Sequence, residues 1–164
     1  MRAVVVVASR HGGTREIGEV IASTLAEVGI ESDVRSPDDE FDLEPYDVVV
    51  VGSPIYTGRW LPEAREYVDA NVEALRARKV WLFSSGLSDA PAKASNRPAE
   101  TQERLGLVGA VAHRHFSGRL DLNVLNFAER AIIAAARGKQ GDRRDMDAVR
   151  AWARDVAARV GASA

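Results

Sequence analysis

The chain has no cysteine, which excludes a disulfide, a thiolate metal site and cysteine redox chemistry. Any redox work must then fall to a bound cofactor. It also has no long hydrophobic run. No segment approaches the ~20 apolar residues of a membrane span. The amino-terminal stretch Met1-Arg2-Ala3-Val4-Val5-Val6-Val7 is too short for a signal peptide and is followed by no small-residue cleavage site, so a cytoplasmic location is expected. Charge of one sign is lacking as well. A formal net charge of −2 provides no basic stripe for phosphate backbones, which argues against nucleic acid as a partner. It equally argues against a strongly acidic electron carrier steered to its partners at long range.

What is present is ordinary soluble composition, 46% hydrophobic and 28% charged over 164 residues. That length suits one domain, 1–164, able to bury roughly 70% of its unfolded surface. Strands and helices alternate from the start. Ala3 to Ala8 is a β-branched run of the kind buried on both faces of a parallel sheet. Thr14 opens a helix with apolar residues at Ile17, Val20, Ile21, Leu25 and Val28, and Gly29 stands where a left-handed cap ends it. Ile30 to Arg35 reads as a second strand, with an acidic loop from Ser36 to Asp47 after it. Val48 to Gly52 is the third strand. Pro62 begins a helix carrying Ala64, Tyr67, Val68, Val72 and Leu75 on one face. Val80 to Phe83 is the fourth strand, followed by a Ser/Ala/Pro-rich loop (Ser84 to Arg97) and a short helix near Pro98 to Leu105. Val108 to Phe116 reads as a fifth strand. Helices of about Val124–Arg137 and Met146–Val160 close the chain, the latter with Asp145 as N-cap.

Such alternation predicts an α/β doubly wound three-layer sandwich. Right-handed crossovers leave few topologies, of which five parallel strands in the order 2-1-3-4-5 is the commonest at this length. Ligands then bind outside the carboxyl ends of the strands, where the strand order reverses, between strands one and three. The loops after those strands carry the unusual residues. In Ser9-Arg10-His11-Gly12-Gly13-Thr14-Arg15 the glycines let successive amides converge, Ser9 and Thr14 add hydroxyls, and the helix start adds its positive dipole end. This is a phosphate cradle without the lysine or spacing of a nucleotide P-loop. Arg15 in the first helical turn opposes the macrodipole, which suits a nearby anion; pairing with Glu19 one turn on is the plainer alternative. The second loop runs Gly52-Ser53-Pro54-Ile55-Tyr56-Thr57-Gly58-Arg59-Trp60. Gly52 and Gly58 permit a tight backbone path, and Tyr56 and Trp60 offer flat faces for a planar ring, with Trp60 the better candidate for simple core packing.

Ser9-X-X-Gly12-X-Thr14 resembles the phosphate loop of flavodoxins, and Gly52-X-Pro54-X-Tyr56 resembles their first flavin loop, where an aromatic commonly stacks on the ring. Four stretches resemble more closely the flavodoxin-domain family that includes the menaquinone-dependent protoporphyrinogen oxidases of heme biosynthesis. They are Ser9-Arg10-His11-Gly12-Gly13-Thr14-Arg15-Glu16-Ile17, Tyr46-Asp47-Val48-Val49-Val50-Val51-Gly52, Gly109-Ala110, and Asp147-Ala148-Val149-Arg150-Ala151-Trp152-Ala153. The likeness is strong in the first sixty residues and loose between Ser84 and Gly106.

The resemblance implies a flavodoxin-like fold and an FMN-binding redox protein. Ser9, Arg10, His11, Gly12, Gly13 and Thr14 would hold the phosphate, and Ser53, Pro54, Ile55, Tyr56, Ser85 and Gly86 would line the ring. A quinone or porphyrinogen-type substrate is the family-level expectation for an oxidoreductase. An electron carrier without its own substrate, and a flavin-free interaction module, stand as alternatives. Two departures bear on this. The oxidases carry a longer insertion near the fifth strand, and the third flavin loop here, Ser84-Ser85-Gly86-Leu87-Ser88, has no aromatic for the ring's second face. His113 and His115, two apart on the fifth strand, share a face near its carboxyl end and are candidate proton donors; partly exposed polar residues is the plainer description, as it is for His11. The apolar helix Val124–Ala136 suggests core packing, a second subunit or a peripheral membrane contact. Asp38, Asp39, Glu40, Asp42 and Glu44 read as a solvated loop without calcium-loop spacing, so no metal is expected.

Overall fold

The computed structural model describes residues 1–10, 12–56, 58–86, 99–117, 119–120, 141–142 and 146–162. Strand β1 (Arg2–Val7) is followed by helix α1 (Gly13–Glu27) and β2 (Glu31–Arg35). β3 (Val48–Tyr56) turns back through a hairpin onto the short β4 (Arg59–Trp60). Helices α2 (Pro62–Ala70) and α3 (Val72–Arg76) lead into β5 (Lys79–Gly86). α4 (Ala99–Val108) and β6 (His113–Ser117) come next. β7 (Arg119–Leu120) and β8 (Gly141–Asp142) pair only with each other, and α5 (Met146–Ala162) follows them. The long strands run parallel in the order β2-β1-β3-β5-β6. With the hairpin strand β4 set aside, this is the order expected from the sequence.

Alternation along the strands divides the core into two layers. Ala3, Val5 and Val7 of β1 face α1 and α5, joining Ile17, Ile21, Leu25, Val149, Trp152 and Val156. Val4 and Val6 face the other way, toward Leu61, Ala64, Val68, Leu75 and Val108 of the α2–α4 side. Val4 through Val6 are wholly inaccessible, and each such side chain removed from water stabilises the fold by about 1.5–3 kcal/mol. A strand apolar on both faces can sit only between two helix layers.

The helix ends follow the sequence closely. Gly29 adopts φ 91, with its N–H donating to Ala26 and that of Ile30 to Leu25. This is the paired 5→2 and 6→1 pattern that only a left-handed residue closes. Pro62 occupies the first turn of α2. Among the described residues four boundaries differ from expectation by more than two residues or by a break in the helix. β3 does not end at Gly52; it continues four residues to Tyr56 and then forms the hairpin. β1 stops beside Gly52 at Val7, so beyond that point no ladder bond to β1 is asked of Pro54, and a proline is tolerated there. β5 likewise extends to Gly86. The helix expected after Pro62 is divided at Asn71, which leaves helical geometry (φ −123) and donates from Nδ2 to the Tyr67 carbonyl at 2.7 Å. Val108 belongs to α4 rather than to a strand, because Gly109 (φ 66) closes that helix and Ala110 N–H returns to Leu105. The expected helix Val124–Arg137 and the Asp145 cap lie outside the described residues.

Candidate functional site

The carboxyl ends of β1, β3 and β5 meet where the strand order reverses. At the end of β1, the Gly12 N–H donates to Ser9 Oγ at 3.0 Å. Gly12 then takes φ 83 as the N-cap of α1. A Cβ added at Gly12 would meet nothing within 4 Å, so its backbone conformation, not crowding, calls for glycine. No side chain caps α1, and its positive dipole end therefore faces the loop directly. His11 lies outside the described residues. Arg15 takes the plainer of its two expected roles, with Nε 3.5 Å from Glu19 Oε1.

The strand-end residues converge with this loop. Buried Thr14 places its Oγ1 2.8 Å from Ser85 Oγ, across 71 residues of sequence. Pro54 and Ser85 are register partners in β3 and β5. Two hydroxyls carry two protons and use one between them, so the Thr14–Ser85 pair keeps a donor for a third oxygen. Thus the glycine turn, the helix start and the strand-end hydroxyls form one donor-rich surface, a set that suits a phosphate.

Ser53 behaves differently from its expected role. It is fully buried, accepts from Leu61 N–H at 2.9 Å and donates to the Pro54 carbonyl at 2.8 Å. Its hydroxyl therefore holds the strand's own geometry, leaving the backbone for any ligand. Ile55 and Tyr56 are half-buried against the α2–α4 side of the core. The Arg10 guanidinium lies over the Tyr56 ring, 4.4 Å from its centroid. Arg10, expected at the phosphate, thus contacts the ring loop.

Gly52 does not serve a tight loop. It lies inside β3 beneath Phe83, whose ring carbons would stand 2.1 Å from an added Cβ. Gly58, at φ 77, is the glycine the hairpin turn requires. Trp60 is core, at 2% exposure, and its Nε1–H donates to Ser84 Oγ at 2.8 Å.

The same Ser84 Oγ is 2.6 Å from His113 Nε2. His113 opens β6 instead of lying near its carboxyl end, because Gly109 ends α4 later than the valines suggest. His115 is buried beside Gly86, where an added Cβ would come within 3.1 Å of its Cε1. Leu87 and Ser88 lie outside the described residues.

Sequence reasoning missed the ion-pair cluster that joins β4 and α2 to α4. Arg59 of β4 pairs with Glu100 of α4. Arg65 Nη1 is 3.6 Å from Glu100 Oε2, and Arg104 reaches Asp69 at 2.9 and 2.6 Å. The turn dipeptide Thr57-Gly58 between Tyr56 and Arg59 was the one local signal for this hairpin. An apolar cavity of about 370 Å³ beside Met1, Val28 and Val160 is lined by none of the candidate residues. Among the described residues there is no cluster of His, Asp and Glu able to hold a metal and no helix long and apolar enough to cross a membrane.

The flavodoxin-domain pattern matches residues 4–147. Protoporphyrinogen IX dehydrogenase [quinone] of Escherichia coli (strain K12) is 33% identical over 89 residues, 53% of this chain and 49% of that protein. The match therefore spans about half the length of this curated relative. A flavodoxin from Streptococcus pneumoniae TIGR4 superposes with a TM-score of 0.65 at 16% identity, covering 97% of this chain and 99% of that one. Oxidised flavodoxin 1 from Bacillus cereus gives a TM-score of 0.58 at 21% identity, covering 83% and 95%. At such identities these structures speak to the fold alone.

Proposed function

The chain belongs to the flavodoxin-domain family, and from that premise we propose that it is an FMN-dependent oxidoreductase acting on a quinone or porphyrinogen-type small molecule. FMN is the cofactor of such a domain. The observation that carries the reading is the Thr14–Ser85 hydrogen bond, which brings the phosphate loop to the strand ends that would line a flavin. Ser9, Arg10, Gly12, Gly13 and Thr14 would hold the phosphate. Pro54, Ile55, Tyr56, Ser85 and Gly86 would flank the ring. FMN, when bound, supplies the electron-accepting and hydride-accepting chemistry.

The chain's own contribution is binding and orientation. The amides and hydroxyls of the first loop attract a dianion. Tyr56 offers a half-buried aromatic face, and the rigid strand ends hold it in place through Trp60 and Ser53. His113, hydrogen-bonded to Ser84, and buried His115, beside Gly86, are candidates for moving a proton, and both belong to this proposal. The substrate class rests on the 33% identity over half of the Escherichia coli enzyme.

Titrating FMN into the protein and following quenching of flavin fluorescence tests the cofactor. Saturable submicromolar binding, weakened at least tenfold by Thr14→Ala or by substituting riboflavin, is expected. Holoprotein reduced anaerobically with dithionite and then mixed with menadione tests the reaction. Reoxidation by the quinone supports an oxidoreductase. Reoxidation only by a ferredoxin-type partner would make the protein a carrier, and absence of flavin binding would leave an interaction module.

A further inference from the structure

We infer that Arg10 is a specificity residue that shields the ring loop from flavins lacking a phosphate. This deepens the FMN reading and rests on it. Arg10 springs from the phosphate loop, yet its guanidinium covers the Tyr56 ring at 4.4 Å. Tyr56 is packed in part against the core, so the guanidinium occupies the side of the ring that a flat ligand would need. Arg15, the other arginine of the loop, is engaged by Glu19; Arg10 is the cation whose position bears on both halves of the site.

A ring that stacks on Tyr56 must displace this guanidinium. The lost cation–π contact at an exposed site weakens any flavin by about two- to fivefold. A ligand that also carries a phosphate offers the displaced cation a charge-assisted partner in the loop from which Arg10 itself springs. Riboflavin offers none. One residue therefore acts in opposite directions on two ligands that differ only in a phosphoryl group. Its long, unbranched side chain can turn from ring to phosphate by rotation about its own bonds, with no backbone change required.

The test is titration of Arg10→Gln with FMN and with riboflavin, beside the unaltered protein, with far-UV circular dichroism as the check on folding. Riboflavin binding is expected to tighten about two- to fivefold, while FMN binding weakens roughly tenfold or more. Arg10→Lys, which retains charge, should keep FMN within a few-fold of the unaltered protein. If the substitution moves both ligands in the same direction, or leaves both unchanged, the specificity role is wrong while the FMN reading stands. If the unaltered protein binds no FMN, both fall together.

Discussion

At the scale of single residues, the structure turns two sequence features into measurable requirements. Gly52 was read as a loop glycine and is instead the floor beneath Phe83. Phe83 is fully buried and sits 6.1 Å from Phe116 and 6.4 Å from Trp152 in edge contacts, so its ring cannot retreat. Gly52→Ala should destabilise the protein by about 1–3 kcal/mol through overpacking, read as a lower denaturant midpoint. Thr14 joins function to stability. Thr14→Val keeps the shape but strands the buried Ser85 hydroxyl, and the expected loss is again about 1–3 kcal/mol. The same variant should weaken FMN more than Ser9→Ala does, because Ser9 Oγ supports the turn from a partly exposed position.

At the scale of elements, two clamps hold connecting segments in place, one at each end of the sheet. The acidic connection between β2 and β3 is tied down by Arg78, whose Nε donates to the carbonyls of Leu43 at 3.0 Å and Tyr46 at 2.9 Å, while Nη1 donates to Ala74 at 2.6 Å. The guanidinium spreads its donors over Nε and Nη1, a span that the single nitrogen of a lysine ammonium cannot cover. Arg78→Lys should therefore cost about 1.5–3 kcal/mol, visible in chemical denaturation. The second clamp is the β3–β4 hairpin, pinned by Trp60 to Ser84 and by Arg59 to Glu100. Trp60→Phe keeps most of the buried area but leaves Ser84 without its indole donor, and Tyr56 on the same hairpin should bind flavin less tightly.

At the scale of the whole molecule, stability depends on pH through groups remote from the site. The Tyr46 hydroxyl, donating at 2.7 Å, holds the Asp33 carboxyl below its usual value of 3.8, with Arg2 and Arg35 assisting against partial burial. A lowered folded value means that this stabilisation is present above the ordinary carboxylate range and lost as the pH falls through the folded value. Asp33→Asn should flatten the acid limb of a stability–pH curve. Tyr67 lies at the other limit: burial pushes its hydroxyl up from 10.0 to about 12. The folded chain keeps it neutral where the unfolded chain ionises, so stability falls as the pH rises from about 10 through about 12. Tyr67→Phe should remove that share of the alkaline loss, measured by urea unfolding at successive pH values.

By itself the sequence determined the strand order and the two-sided core, and it pointed to the strand ends as the candidate site. Valine runs without polar interruption demand helices on both faces, and Gly29 and Pro62 punctuate the helices by backbone geometry that no tertiary contact alters. The loop proposed to take the phosphate was legible for the same reason, since glycines, hydroxyls and a helix start act locally. Tertiary structure alone decided which way side chains point where strands run past their apolar stretch. It seated Gly52 under Phe83 and turned Ser53 inward to Leu61. It started β6 at His113, and it laid Arg10 over Tyr56 instead of along its own loop. Gly52 meets Phe83, Ser84 meets His113 and Arg10 meets Tyr56 across 29 to 46 residues of sequence, Ser53 meets Leu61 across the hairpin, and hydrophobic periodicity carries no record of such partners.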